Sequence, residues 1–250
     1  MLTEERKQRI LAILRNEGRV VAKDFAATVG TSEDTIRRDL RELAREGLLQ
    51  RVHGGALPAS KAVADLNTRQ SVSAAEKRAI GRAAAAMVQN GQVVFLDGGT
   101  TAVHVARALS PSVKATIVTH SPTVAVALAD HAVEVIIVGG RLFRHSMVAV
   151  GAAARDEIAR IRADIYFMGV TGVHPEVGLT TGDAEEAAIK RAILQASGET
   201  VVLASPEKLG AASPFVVAAL ADISTILTAQ TVSPEVLAPY ASAGVSIVRA

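Results

Sequence analysis

Six short apolar runs govern what this chain can fold into: VVFLD (93–97), TIVTH (116–120), VEVIIVGG (133–140), DIYFMGV (164–170), TVVLAS (200–205) and STILTA (224–229). Each has the length of a strand, and helical patterns lie between most of them. Strands buried on both faces read as near-continuous apolar runs, and parallel strands need a crossover, usually a helix. The alternation predicts an α/β fold with a mainly parallel sheet. Hydrophobic residues make up 49% of the 250, enough to build its core.

In such sheets ligands sit beyond the carboxyl ends of the strands. Five clusters of small, hydroxyl or cationic residues fall there: Asp97-Gly98-Gly99-Thr100-Thr101, Thr119-His120-Ser121, Gly139-Gly140-Arg141, Gly169-Val170-Thr171-Gly172 and Ser205 to Gly210. Taken singly, each has a plain reading: Asp97 caps a turn, Gly139-Gly140 give backbone freedom, Arg141 lies on the surface. Taken together they form a pocket in which Gly98, Gly99, Thr100 and Thr101 cradle a phosphate, with Arg141 and Lys208 supplying positive charge. Asp97 is expected to order the loop or a ligand hydroxyl rather than to move a proton. The chain lacks the nucleophile-elbow, P-loop and dinucleotide-binding glycine motifs. Its six histidines lack close metal spacing, so neither a metal nor a cofactor is expected. Isomerase chemistry remains open on paper, with Glu185, Glu186, Asp97 and Lys208 as available groups.

The first sixty residues have a different character. TEERKQRILAILRNEG (3–18) places Ile10, Ile13 and Leu14 on one face and ends on Gly18; VAKDFAATVG (21–30) aligns Ala22, Phe25, Ala26 and Val29 and ends on Gly30. Thr31 or Ser32 caps the next helix, Thr31 with Asp34 fitting a capping box. That third helix, SEDTIRRDLRELAREG (32–47), has Ile36, Leu40 and Leu43 on one side and Arg37, Arg38, Arg41 and Arg45 on the other, with Asp39, Glu42 and Glu46 between. On an isolated helix this would be a solvated face laced with ion pairs. Three short helices with tight turns suit a helix-turn-helix instead, its third helix in the major groove and its arginine face un-neutralised. GLLQRVHGGA (47–56) then reads as a β-ribbon, from Leu48, Leu49 and Val52, turning at Gly54-Gly55: a wing bringing Arg51 and His53 to the DNA backbone.

Charge agrees. Residues 1–57 hold 11 Lys+Arg against 9 Asp+Glu, and residues 58–250 hold 16 of each, so the basic excess sits in the first segment. Aromatics are only 3%, which disfavours base stacking. The absence of cysteine excludes disulfides, thiol catalysis and thiolate zinc. With no run long enough to span a bilayer and a charged MLTEERKQRI start, a cytoplasmic protein with no membrane partner is expected. Residues 58–73, polar and small, read as a linker; AAEKRAIGRAAAAMVQNG (74–91) reads as a helix ended by Gly91.

SEDTIRRDLRELAREGLLQRVHGGA resembles the DNA-binding domain of the DeoR/GlpR family of bacterial transcription regulators, over residues 3–57. That resemblance implies that Thr35, Arg37 and Arg38 face DNA; Thr31, Ser32, Arg41, Arg51 and His53 complete the expected interface. KRAIGRAA, LDGGTT, VGGR, GLTTGDAEEAAIKRA and EKLG resemble the sensor domain of the same family over about residues 75–250, a domain similar to ribose-5-phosphate isomerase. By this likeness Glu186 matches the isomerase's base and Lys208 its loop lysine, whereas MGVTG (168–172) stands where the isomerases carry DGADE. The chain departs from the family at His120, usually Asn, and at Ser205 and Glu207, where the family has DxSKxG.

The expectation is therefore a winged helix-turn-helix (1–57), a linker (58–73) and a larger Rossmann-like α/β effector-sensing and oligomerisation domain (74–250). The expected function is a DNA-binding transcription regulator, a repressor of sugar-metabolism genes. Its partners would be double-stranded operator DNA, a phosphorylated sugar or related metabolite, and further copies of itself as a dimer or tetramer. The effector residues would be Asp97, Gly98, Gly99, Thr100, Thr101, His120, Arg141, Glu186 and Lys208. The alternative is a sugar-phosphate isomerase-like enzyme with an appended DNA-binding domain.

Overall fold

The computed structural model describes residues 2–60, 62 and 66–250. The chain opens with α1 (Thr3–Glu17), β1 (Val20–Val21), α2 (Ala22–Val29), α3 (Glu33–Arg45), β2 (Leu49–Val52) and β3 (Gly55–Pro58). Gly18 and Gly30 end their helices in the left-handed conformation, as expected. Ile10 and Leu14 of α1, Phe25 and Ala26 of α2, and Ile36, Leu40 and Leu43 of α3 close one small core with Leu49 and Ala56 of the wing.

Several details differ from the sequence expectation. Ser32, not Thr31, caps α3: its hydroxyl accepts the Thr35 N–H at 3.2 Å. The wing turns at His53-Gly54, because Gly55 already pairs in β3. The wing also gains a third strand, since Val20 and Val21 pair antiparallel with Ala56 and Gly55. Asp39 is fully buried rather than flanking, bound by Arg6 of α1.

Residues 61 and 63–65 of the expected linker lie outside the described residues; α4 (Leu66–Ser71) occupies much of the rest. The following helix, α5 (Ala74–Ala86), stops before Gly91, which instead donates to the Lys114 carbonyl at 2.6 Å in the turn into β4. Then come β4 (Val93–Leu96), α6 (Thr100–Ala108), β5 (Thr116–Thr119), α7 (Pro122–Ala127), β6 (Glu134–Ile137), the hairpin β7 (Arg141–Phe143) and β8 (Val148–Val150), and α8 (Ala152–Ile158). The chain finishes with β9 (Ala163–Gly169), β10 (Gly172–His174), β11 (Gly178–Thr181), α9 (Ala184–Gln195), β12 (Ser197–Ala204), β13 (Phe215–Ala218), β14 (Thr225–Thr228), α10 (Pro234–Ser242) and β15 (Ser246–Arg249).

All six apolar runs are strands of one seven-stranded sheet, ordered β15–β14–β12–β9–β4–β5–β6, with every neighbouring pair parallel. The period of two sends alternate residues into two cores. Val94, Leu96, Ile165, Phe167, Val201 and Leu203 pack against Ile80, Ala84, Val105 and Val124 of α5, α6 and α7. Phe95, Tyr166, Met168 and Val202 pack on the other face against Ile158, Ile189, Ile193 and Tyr240 of α8, α9 and α10. Burial on both faces is why the five inner runs are apolar nearly throughout; the edge strand β6 is apolar as well, although Ile136 and Ile137 are exposed. Gly81 lets α5 press onto α6, since a Cβ there would stand 2.7 Å from His104 Cβ.

From β4 the chain first winds outward to β5 and β6, then crosses back to β9 and continues on the other side. The order reverses between β4 and β9, and at such a switch point the crossovers diverge and leave a crevice at the carboxyl ends. A small antiparallel sheet, β10–β11–β13, covers this end of the domain.

Candidate functional site

The crevice at the β4–β9 switch point is built on Asp97, which follows β4 directly and is fully buried. Its Oδ1 accepts from Gly98 N–H (2.7 Å) and His120 Nε2 (2.8 Å). Its Oδ2 accepts from Lys190 Nζ (2.6 Å), Gly169 N–H (2.8 Å) and the Tyr166 hydroxyl (2.9 Å). Burial alone would push this carboxyl up, but the Lys190 charge and the His120 hydrogen bond outweigh it and hold it well below the usual carboxylate range. Burial beside this carboxylate drives the Tyr166 phenol up in turn. With its oxygens committed in this way, Asp97 orders the loop and is not placed to accept a proton from a ligand.

The loop it holds is glycine for steric reasons. A Cβ on Gly98 would stand 2.2 Å from Val148 Cγ1, and Gly99 has φ +104° at the N-cap of α6. The first N–H groups of a helix lack intrahelical partners and favour an anion. Thr101, in the first turn, is buried, lines the cavity, and has a hydroxyl without any hydrogen-bond partner. A buried hydroxyl left unpaired costs about 1–3 kcal/mol, so this one is available to hydrogen-bond a ligand.

Four cations surround the same cavity: Arg69, Lys77, Lys190 and Lys208. Lys77 donates to the Arg69 carbonyl at 2.8 Å and lies 3.7 Å from Glu207. Burial lowers the Lys77 ammonium, with Glu207 opposing. Lys208 is buried and donates to the Leu203 carbonyl at 3.1 Å. Burial, together with the charges of Lys77, Arg69 and Lys190, brings its ammonium down to about 7 against the pull of Glu207. Glu207 itself accepts from the Ser73 and Ser205 hydroxyls, both at 2.7 Å. These bonds offset its burial and keep it below its ordinary value. Glu186 reaches the cavity and accepts from the Thr181 hydroxyl at 3.2 Å. Asp97 and Glu207 are already engaged, so the arrangement suits a compact anion carrying hydroxyls.

Of the residues singled out in the sequence, Gly98, Gly99, Thr100, Thr101, Glu186 and Lys208 come together around this cavity. Asp97 and His120 stand behind it as support; His120 Nδ1 lies 2.9 Å from the Ala149 carbonyl, tying β8 to the loop. Arg141 does not join them. Gly139 and Gly140 turn the chain into the β7–β8 hairpin, and Arg141 is exposed beside β6, two strands from β4. The positive charge it was expected to supply comes from Arg69, Lys77 and Lys190. Lys77 lies on the Ile80/Gly81/Ala84 stripe of α5, and Lys190 is one turn from Glu186 on α9; a lysine on a buried stripe and an i,i+4 pair were the signals.

The other candidate surface is the outer face of α3 and the wing. Arg38, Arg41 and Arg45 are exposed and, among the described residues, make no ion pair. Arg37 departs from the expectation of an un-neutralised face, since it pairs with Glu33 at 2.7 Å. Arg37, Arg51 and His53 line one groove between α3 and the wing. Ser32 and Thr35 share a hydroxyl–hydroxyl bond of 2.9 Å at the start of α3, with Thr31 just before it. Among the described residues no group of three His, Asp or Glu forms a metal site, and no helix is long and apolar enough to cross a membrane.

Residues 6–62 match the DeoR-like helix-turn-helix domain, and residues 72–230 match the DeoR C terminal sensor domain. The chain belongs to the DeoR family of transcription regulators. It is similar to the HTH-type transcriptional regulator GlpR of Haloferax volcanii, with 35% identity covering 99% of this chain and 98% of that one. It is also similar to the Glycerol-3-phosphate regulon repressor of Escherichia coli, 32% identical over 84% of each chain. The HTH-type transcriptional repressor GlcR of Bacillus subtilis is 30% identical over 91% of this chain and 89% of its own. As a DeoR-family member the protein is a DNA-binding transcription regulator rather than an isomerase-like enzyme. α3 and the wing lie in the part matched by the helix-turn-helix domain, and Gly98–Thr101 and most of the switch-point cavity in the part matched by the sensor domain.

Proposed function

We propose that this regulator is a repressor of sugar-metabolism genes that leaves its operator when a phosphorylated sugar or related metabolite fills the cavity. The observation that carries the effector class is the unpaired Thr101 hydroxyl, buried among four lysine and arginine side chains at a helix N-terminus. The names of the E. coli and B. subtilis relatives support the repressor reading. In this reading Gly98, Gly99, Thr100 and Thr101 grip the phosphate, Lys77, Lys190 and Lys208 balance its charge, and Glu186 takes a hydroxyl. Asp97 and His120 hold the grip in shape. Thr31, Ser32, Thr35, Arg37, Arg38, Arg41, Arg51 and His53 meet DNA. Two such faces read a two-fold operator when copies of the chain assemble. The test is a gel shift on the DNA upstream of its gene, with and without a panel of phosphosugars. Retarded bands released by one of them are expected; no sequence-specific band under any condition rejects the reading. In the same assay Arg38→Ala is expected to weaken binding about 10- to 100-fold if Arg38 contacts a base edge. Wild-type affinity and salt dependence would remove Arg38 from the interface.

A route from cavity to wing supports the same reading. The Ser60 hydroxyl donates to the Thr171 carbonyl and accepts the Ala62 N–H at 3.1 Å. Thr171 and Ala62 both line the cavity, while Ser60 lies two residues beyond the last residue of β3. Pro58 and Ala59 pair with Ala212 beside them. An effector that moves Thr171 therefore pulls on the strand forming the wing. Ser60→Ala is expected to leave DNA affinity and effector affinity, each measured alone, within about twofold. It should cut the effector's influence on DNA binding by roughly tenfold, within the usual 1–3 kcal/mol range of such couplings. Titration of operator DNA at zero and saturating effector measures this, and an unchanged ratio of affinities rejects the route.

A further inference from the structure

The switch-point cavity by itself is small for a whole phosphosugar. Its volume is about 30 Å³, room for about two water molecules. That volume accepts the oxygens of one anionic group, and the rest of a sugar extends beyond it. A second cavity of about 570 Å³ adjoins it, and the two share Thr100. Chain neighbours divide between them: Arg69, Lys77 and Ser146 face the small cavity, while Gln70, Arg78 and Met147 face the large one. One wall, made from α4, α5 and the β7–β8 hairpin, thus serves both.

The large cavity is selective in its charge. Its ionisable lining residues are Arg78, His104 and Arg107, with no carboxylate. Among the described residues neither arginine makes an ion pair. Burial holds the His104 imidazole below its ordinary value, and Arg107, Arg78 and Lys77 press it the same way. Positive potential therefore continues from Lys77 in the small cavity to Arg107 in the large one. Val103 and the exposed Val126 add apolar surface to its lining.

Resting on the phosphosugar reading above, we propose that the effector carries two anionic groups. One occupies the small cavity at Gly98–Thr101, and the second is held by Arg78 and Arg107 across the larger cavity, with the carbon skeleton between them. Arginine suits that end because its planar fork binds phosphate or carboxylate through two parallel hydrogen bonds. The ligand class is thus a sugar bisphosphate or a phosphorylated sugar acid rather than a simple monophosphate.

Calorimetric titration of the full chain tests this with matched sets: fructose 1-phosphate, fructose 6-phosphate and fructose 1,6-bisphosphate; ribose 5-phosphate and ribulose 1,5-bisphosphate; glucose 6-phosphate and 6-phosphogluconate. In at least one set the doubly anionic member is expected to bind about tenfold or more tightly than its monophosphates, the worth of one added charge-assisted contact. In Arg78→Gln/Arg107→Gln that advantage should vanish while monophosphate affinity stays within about twofold. Arg82→Gln, an exposed change on α5 outside both cavities, controls for net charge and should change nothing. Equal binding within every set, or an advantage that survives the double substitution, overturns the proposal while leaving the phosphosugar reading standing. Failure of every ligand to bind overturns both.

Discussion

Asp97→Ala is expected to destabilise the sensor domain by about 3–5 kcal/mol, the cost of removing one partner from a buried ion pair. The carboxylate is fully buried and accepts five hydrogen bonds, from Gly98, His120, Lys190, Gly169 and Tyr166. Its removal leaves the Lys190 ammonium buried without its counter-charge. It also frees the Gly98–Gly99 turn, so effector binding should fall with stability. Asp97→Asn keeps the shape and loses the charge. If hydrogen bonding alone mattered, it would recover most of the loss; the charge of Lys190 predicts that it recovers little. The pH dependence has a definite sign. The folded carboxyl sits below its unfolded value, so its contribution is whole above the ordinary aspartate range near 4 and declines as pH falls through the folded value. Urea melts of wild type, Asp97→Ala and Asp97→Asn between about pH 3 and 7 check both points. A loss below about 1 kcal/mol in Asp97→Ala would show that the network relaxes without it.

The same residues show where sequence reasoning reaches and where it stops. Five of the six strands were legible because they lie inside the sheet and are buried on both faces; β6 is an edge strand as exposed as β15 and was legible only because its run VEVIIVGG is apolar. β15 was missed because it is an edge strand, largely exposed, and its SIVR pattern carries no such signal. β10 and β11 were missed because each begins at a glycine, Gly172 and Gly178, and Pro175 lies between them, all of which read as loop. The loop proposed to grip a phosphate was legible because strand, glycines and hydroxyls are contiguous in LDGGTT. The cavity's cations were not, because Lys77 and Lys190 sit inside helices and converge only through the packing of α5 and α9 around the sheet. Arg141 misled for the converse reason: its position after a strand is local, whereas the distance of β6 from the switch point depends on strand order. For Asp97 the sequence left two roles open, ordering the loop or a ligand hydroxyl, and the hydrogen bonds from Gly98, Tyr166 and Lys190 correspond to the first.

Asp39→Ala is expected to unfold a large fraction of the DNA-binding module, at about 3 kcal/mol, the lower end of the range for breaking a buried ion pair. On the helical wheel Asp39 falls beside the arginine face, where a solvated carboxylate would temper binding. In the fold it is wholly buried, and its two oxygens take Nε and Nη2 of Arg6, the latter at 3.0 Å. This pair, with Lys7–Glu42 at 2.9 Å, clamps α1 to α3 and so sets the angle at which Arg38 and Arg41 are presented. Without Asp39 the buried Arg6 guanidinium keeps only the weaker influence of Glu42 and its small exposure to relieve it. A module of this size has little stability to spare. Its melting temperature should fall by roughly 10–20 °C, and operator binding should vanish near the new midpoint while effector binding by the sensor domain persists. Replacing both partners, Arg6→Leu with Asp39→Leu, should recover most of the stability, because an apolar pair of similar volume removes the stranded charge. Melts of the helical signal on the full chain distinguish the outcomes. A shift below about 4 °C in Asp39→Ala, or a double variant as unstable as the single, would mean that the clamp does not hold α3 in place.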